Sequence, residues 1–297
     1  PLTRPFIRRS SWKGSTVPFP KILVVTESGP VVGYGHSVRS GHLAAVLDAA
    51  TGVDVHQSEP WDLVVLDVMR PDLWLFGRET VDWRKLAVIV GAGWTISEEV
   101  GAAADLVVYQ TAFPVDDYGL SRAGPDFLIL DPRYAAKSPP GDAGAVVWFG
   151  AGIDADWMER VILSLLDTAV PVSFPARTPE WDPGWHGALY HHHRRCAVHV
   201  GSVGMTTYEA AAAGCVPITV ARSLDHDATG HQLDRIGICD HFGLATEIDP
   251  EVFASVVAEL LRTDEVKRKR DVGIRTIDGL GVFRVAEELW RLATKGD

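Results

Sequence analysis

The stretch Gly201-Ser-Val-Gly-Met-Thr-Thr-Tyr-Glu-Ala-Ala-Ala-Ala-Gly-Cys-Val-Pro217 joins a glycine-bearing turn to the start of an alanine-rich helix. Gly201 and Gly204, around Ser202 and before Met205, let backbone N–H groups approach a ligand closely. A helix opening near Thr206 adds the partial positive charge of its N-terminus, and the two together suit a phosphate. The same residues also serve as structural punctuation. Thr206 and Glu209 have capping-box spacing, Gly214 is a C-terminal stop and Pro217 follows it. A glycine-rich turn is a weak signal, and at this level both readings stand. A second stretch with chemistry is Gly33-Tyr-Gly35-His36-Ser-Val-Arg39. Histidine exchanges protons near neutral pH, which suits general-base work, although a lone His beside glycine is more often a helix cap. Arg39, one turn further, has the reach to contact a diphosphate or to hold His36, and reads equally as a surface charge.

Both stretches need a sheet to position them. Residues 196–200 and 216–221 read as strands on either side of the Gly201 turn, which places that turn at the carboxyl edge of a parallel sheet, where open α/β sheets bind ligands. Residues 21–26, 63–67, 86–90, 105–109 and 127–130 are short, continuous Val/Ile/Leu runs, as strands buried on both faces should be. They predict a doubly wound parallel sheet. Turn formers cluster without apolar period at 137–144 and mark a boundary. The second half repeats the build, with a strand at 145–149, the turn Gly150-Ala-Gly152-Ile-Asp154, a helix near 155–168 and a strand at 170–174. A loop rich in Pro and Trp leads to the Gly201 region, and helices near 229–236, 250–262 and 285–293 close the chain. The expected fold class is α/β, two Rossmann-like doubly wound parallel-sheet domains facing a cleft. The expected division is a basic, loosely attached arm at 1–20, an N-terminal acceptor and catalytic domain at 21–140, and a C-terminal donor domain at 141–297.

The 297 residues are too many for most single cores, and 46% hydrophobic with 23% charged residues fits an ordinary globular protein. The net charge of −11 argues against a large nucleic-acid surface, although residues 1–21 hold five cations and no acid. Cys196, Cys215 and Cys239 form no CxxC pair, so neither a disulfide framework nor a thiolate metal site is indicated and a cytoplasmic location is expected. The sequence has no run long and apolar enough to span a bilayer and no secretory leader, so no membrane span is expected. His191-His-His193, followed by Arg194 and Arg195, reads as a solvated polar loop rather than a metal site. Trp61, Trp74, Trp83 and Trp94 read as core or rim aromatics, with stacking on a sugar or base as the other use. Neither glycine turn continues to the third glycine of a dinucleotide fingerprint, and no GxxxxGK[ST] occurs, which disfavours a dehydrogenase and an ATPase.

Several positions together resemble the UDP-sugar hydrolase of pseudaminic acid biosynthesis and its relatives among spore-coat polysaccharide proteins, which have the glycosyltransferase B fold. The family's Gly-x-Gly-His-x-x-Arg is matched by Gly33, Gly35, His36 and Arg39, and its acid at the end of the next central strand by Asp67. Ala104-Asp-Leu-Val-Val-Tyr-Gln110, Pro132-Arg-Tyr-Ala135 and Phe149-Gly-Ala-Gly-Ile-Asp154 are similar to further family stretches. Gly204-Met-Thr-Thr-Tyr-Glu209 through Pro217 is similar to the donor motif shared with the peptidoglycan N-acetylglucosaminyltransferase, and His231-Gln232 lies where those enzymes keep a Gln-rich donor loop. The resemblance implies a UDP-type nucleotide-sugar substrate, no metal or other cofactor, and a small-molecule or glycan acceptor. It implies His36 as general base with Arg39 and Asp67 beside it. Gly35, Gly150, Gly152, Asp154, Gly201, Ser202, Gly204, Met205 and Thr206 would line the donor, with Glu209 on the ribose and Gln232 on the sugar. Gly91-Ala-Gly93 stands where the family has an acidic turn, and Ala151 replaces one of its glycines. These departures tilt the expectation toward a glycosyltransferase, with the hydrolase as alternative. Sugar transfer to modified DNA bases and a non-catalytic nucleotide-sugar-binding protein are further alternatives.

Overall fold

The computed structural model describes residues 20–26, 35–47, 50–52, 60–68, 71, 75, 82–91, 96–115, 120–136, 139–142, 144–150, 152–168, 170–174 and 185–295. The arm at 1–19, Gly33, Trp74, Gly93, Trp94 and Ala151 lie outside the described residues. The first sheet holds β1 (Ile22–Thr26), β2 (Ala50–Gly52), β3 (Leu63–Asp67), β4 (Leu86–Val90), β5 (Leu106–Tyr109) and β6 (Ser121–Arg122) in the order β2-β1-β3-β4-β5-β6. The second holds β7 (Ala145–Trp148), β8 (Val172–Ser173), β9 (Val198–Ser202), β10 (Val216–Ala221) and β11 (Asp240–Leu244) in the order β11-β10-β9-β7-β8. Every strand pair is parallel.

The continuous apolar runs have their explanation in the two faces of each sheet. Ile22, Val24, Leu63 and Val65 point into one core while Leu23, Val25, Val64 and Leu66 point into another. Successive side chains alternate across a strand, so a strand covered on both sides is apolar throughout. Helix α1 (Gly35–Leu47) lies on the first of these faces and α2 (Glu98–Ala103), capped by Ser97, contributes Val100 to the second. Trp61 is buried in that second core with Trp83 against it, so both are structural aromatics. On the second sheet, α3 (Ala155–Asp167) covers one face, while α4 (Trp185–His193) and α5 (Met205–Ala213) cover the other.

The edge strands β2, β6 and β11 are additional to the strands expected from the sequence, and further elements differ from expectation. Residues 128–130 are buried coil after a single 3-10 turn, Pro125–Phe127, rather than a strand. Gln110 explains this, since its side chain donates to the Phe127 carbonyl and accepts from Ile129 N–H, replacing a strand's partners. The expected Pro- and Trp-rich loop contains α4, which ends in the three histidines. After α6 (Leu224–Arg235) and α7 (Pro250–Leu260), which packs on α3, comes a further helix, α8 (Glu265–Thr276). Its sequence is mostly charged because few of its residues are buried. One is Lys269, which donates to the Asp234 carboxylate at 3.0 Å and pairs with Asp240 at 2.8 Å.

The expected unit 141–297 does not close on itself. Helix α9 (Gly281–Thr294) carries Val282, Val285, Ala286 and Leu289 as one stripe, and this stripe is buried in the first sheet's core with Leu43 and Leu47. The chain returns past residues 128–135 at two glycines. Gly279 has φ +74°, and a Cβ there would stand 2.5 Å from the Tyr134 carbonyl carbon; at Gly281 one would overlap Leu128 O. Gly279→Ala is therefore expected to lower stability by at least about 2 kcal/mol, the left-handed backbone and the backbone overlap adding together. Urea unfolding of the variant beside wild type measures it.

Candidate functional site

Asp67 is the last residue of β3, in register with Thr26 at the end of β1, so its carboxylate emerges at the carboxyl edge of the first sheet. His36 and Arg39 are three apart at the start of α1 and face the same way. All three meet. His36 Nδ1 lies 2.7 Å from Asp67 Oδ1, Arg39 Nε donates to Oδ2 at 3.0 Å and Arg39 Nη2 to Oδ1, and Ser40 Oγ donates to Oδ2 at 2.8 Å. Asp67 is fully buried, Arg39 nearly so, and the His36 side chain keeps 13% exposure. Burial pushes the Asp67 carboxyl upward, but the Arg39 charge and the hydrogen bonds of His36 and Arg39 outweigh it and hold Asp67 below the usual carboxylate range. Arg39 Nη2 also approaches His36 Nδ1 at 3.2 Å. In the tautomer whose Nδ1–H donates along the shorter contact, to the carboxylate, the Nε2 lone pair is the one able to take a proton.

On the second sheet, the two expected donor turns are neighbours. Trp148 at the end of β7 pairs with Gly201 on β9, and Gly150 N–H donates to Ser202 Oγ at 3.0 Å. Helix α5 opens at Met205 with Gly204 as its cap. The expected Thr206–Glu209 capping box is replaced by Thr207, whose Oγ1 accepts from Gly204 N–H at 3.2 Å. Thr206 is left half-buried, with Gly204 in open space. Gly201 has a packing reason of its own, since a Cβ there would meet Trp148 O and lie 2.5 Å from His199 Nε2. Asp154 caps α3 by accepting from Trp157 N–H at 2.9 Å. Gln232 is exposed on α6, one residue after the exposed His231.

Residues not singled out in the sequence also come to these edges. Arg222 follows β10, and its Cδ would be 3.2 Å from a Cβ on Gly152, which has φ +92°. Its cation lies beside the glycine turn, and no spacing rule links residues so far apart in the chain. His42 on α1 and Glu209 on α5 both feel the charge of Asp131, the residue that caps the turn Pro132–Ala135. Burial lowers the His42 pKa, with Asp131 opposing that shift.

Glu209 is buried, and loss of solvent, with Asp131 next, pushes its carboxyl up to about 8. It is largely protonated at neutral pH, a neutral group able to donate as well as accept. Nearby, His193 is buried, in contrast to the solvated loop expected for residues 191–193. Its Nδ1 lies 2.8 Å from Tyr134 Oη and its Nε2 3.0 Å from His199 Nδ1. The apolar side of α4 turns inward, and its last histidine goes with it. Burial lowers both histidines, His193 strongly and His199 to about 3, so both are neutral.

These shifts have opposite signs in stability. The depressed histidines contribute stability that is present above the unfolded value of 6.5 and lost as pH falls below it. The raised Glu209 contributes stability that is full below 4.5 and lost as pH rises toward 8. Unfolding free energy is expected to rise with pH to about 6.5 and then to fall by about 2 kcal/mol toward pH 8. Glu209→Gln removes the falling limb, and urea midpoints between pH 5 and 9 test this. A limb unchanged in the variant refutes the assignment to Glu209.

The sequence matches no described protein family and no curated protein. Its fold does have solved counterparts. It is similar to Phytolacca americana UGT2, solved with UDP-2-fluoro-glucose and pterostilbene, at TM-score 0.59 and 11% identity over 95% of this chain and 100% of that one. It is similar to CalG4, the calicheamicin glycosyltransferase, at TM-score 0.56 and 14% identity over 93% of this chain and 98% of that one. A Listeria monocytogenes protein assigned as a UDP-N-acetylglucosamine 2-epimerase matches at TM-score 0.56 and 10% identity over 94% of this chain and 98% of that one. The fold is of the glycosyltransferase B type, two parallel-sheet α/β halves.

Proposed function

We propose that the chain is a glycosyltransferase that moves a sugar from a UDP-type nucleotide donor to a hydroxyl or amine acceptor. The observation that carries this reading is the His36–Asp67 pair, an imidazole held through Nδ1 by a buried carboxylate at the carboxyl edge of the first sheet, with its side chain 13% exposed. Nε2 takes the proton of the acceptor as its oxygen or nitrogen bonds to the anomeric carbon. The bond from that carbon to the diphosphate breaks, and its electron pair leaves on the phosphate oxygen. Backbone amides at Gly152 and Met205, the start of α5 at Thr206, and the Arg222 cation stabilise that charge, while the Gly150 and Gly204 amides are used within the turns, on Ser202 and Thr207, and shape them. Gly201 and Ser202 hold the two turns together, Asp154 fixes the start of α3, and Gly35 opens the helix that presents His36. Glu209 hydrogen-bonds the ribose and Gln232 the sugar. Support for a nucleotide-sugar donor comes from the fold, which the solved counterparts named with UDP or UDP-sugars share. Arg39 acts as a positioning residue, since its guanidinium is engaged by Asp67.

The test is release of free nucleoside diphosphate from a panel of UDP- and dTDP-sugars, with and without hydroxyl and amine acceptors. Release that requires an acceptor supports transfer. Release in water alone overturns it in favour of the hydrolase, and tight donor binding without turnover under any acceptor overturns it in favour of a binding protein.

A further inference from the structure

We propose that Asp227, His231 and His241 form a site for one divalent transition-metal ion of the zinc type where α6 packs on β11. One ligand atom from each lies within 4.8 Å of the other two, a grouping of three metal-ligating side chains from two elements among the described residues. Asp227 and His231 are four apart on α6 and project from one face, and His241 meets them from the edge strand. His241 Nε2 stands 2.9 Å from Asp227 Oδ1, and His231 Nε2 stands 3.6 Å from Asp227 Oδ2. Ligands about 2.0–2.1 Å from a tetrahedral ion lie about 3.3 Å from one another, and each imidazole stands within a few tenths of an ångström of that spacing from an Asp227 oxygen, His241 from Oδ1 and His231 from Oδ2.

Two further features show a built site rather than a chance cluster. Gly230 lies inside α6, where glycine costs about 1 kcal/mol relative to alanine. A Cβ there would be 2.5 Å from both Cε1 and Nδ1 of His241, so the glycine is the seat on which the buried imidazole rests. The other ring nitrogen, Nδ1, is held by Thr219 Oγ1 at 3.1 Å, and that hydroxyl reaches the Asp240 carbonyl at 3.4 Å. A hydroxyl that accepts from Nδ1–H and passes its own proton to a carbonyl turns Nε2 toward the ligand position, as partners of metal-bound histidines do. Two imidazoles and one carboxylate suit Zn²⁺ and its neighbours and offer too few oxygens for Ca²⁺ or Mg²⁺. The half-open side at His231 and Asp227 gives the ion entry and leaves a position for water. An ion there clips α6, and with it Gln232, to the edge of the second sheet.

The experiment is titration of Zn²⁺ into the full, tag-free chain after EDTA treatment, read by calorimetry and by thermal unfolding. One ion per chain is expected, with a rise in the unfolding midpoint of about 5 °C or more at a hundredfold excess over Kd. His231→Ala and Asp227→Asn are each expected to weaken binding at least about tenfold, in line with loss of a ligand. Because His231 is exposed, its variant retains the metal-free midpoint. His191→Ala with His192→Ala is expected to leave uptake unchanged. The proposal is overturned by absence of Zn²⁺ uptake, by uptake that survives in His231→Ala, or by uptake that disappears with His191 and His192.

Discussion

Asp67→Ala is expected to lower the unfolding free energy by about 3–5 kcal/mol, because removing one partner of a buried ion pair leaves the other charge uncompensated. Arg39 is 4% exposed and Ser40 fully buried, and both donate to the Asp67 carboxylate. Without it, a guanidinium and a hydroxyl are left in a place that water does not reach. The expectation is specific to unequal removal. Replacing both ions together, Asp67→Leu with Arg39→Met, is expected to recover most of the loss, since a well-packed apolar pair often matches a buried ion pair in stability. Chemical denaturation of the single and double variants tests this. A single variant within about 1 kcal/mol of wild type rules out the pair as a stabilising unit. The two variants also separate fold from function, because the stabilised double variant still lacks the group that orients His36.

His36→Ala is expected to reduce diphosphate release by about 10²–10⁴-fold, the usual contribution of a general base, with donor affinity changed little. The side chain sits on the first turn of α1 and keeps only 13% exposure, and its removal deletes one of several hydrogen bonds to Asp67. The fold therefore loses little while the proton acceptor is lost entirely. His36→Gln is the informative companion, since it keeps a polar group near Asp67 and has no basic nitrogen. Rates in both variants within threefold of wild type, under conditions where chemistry limits turnover, remove His36 from the mechanism.

His36 and Arg39 were legible together because three residues apart on a helix means one face. That Asp67, 31 residues from His36, meets them at 2.7 Å is a property of β1 and β3 lying side by side. The helix α9 was legible as an amphipathic stripe and its destination was not, since nothing local in Val282, Val285 and Leu289 says which sheet they cover. Helix α8 was missed because its charged residues mask the few positions that bury, Lys269 among them. The Asp227–His231 pair has helical spacing in the chain, but His241 joins it only because β11 pairs with β10 and Gly230 leaves room for the ring.

By itself the sequence determined the strands β1, β3, β4, β5, β7, β9 and β10, through apolar runs that only a sheet covered on both faces can absorb, whereas the edge strands β2, β6 and β11 carry no such run. It brought out a candidate site too, through a histidine and an arginine that follow a strand and an acid that ends another. Tertiary structure alone decided which polar groups lost water, and this sets their protonation. Glu209 is pushed up to about 8 and His199 down to about 3 by burial that depends on chain segments far away in sequence. Periodicity reports on neighbours within one element, whereas desolvation and ion pairing depend on what the remaining elements bring alongside.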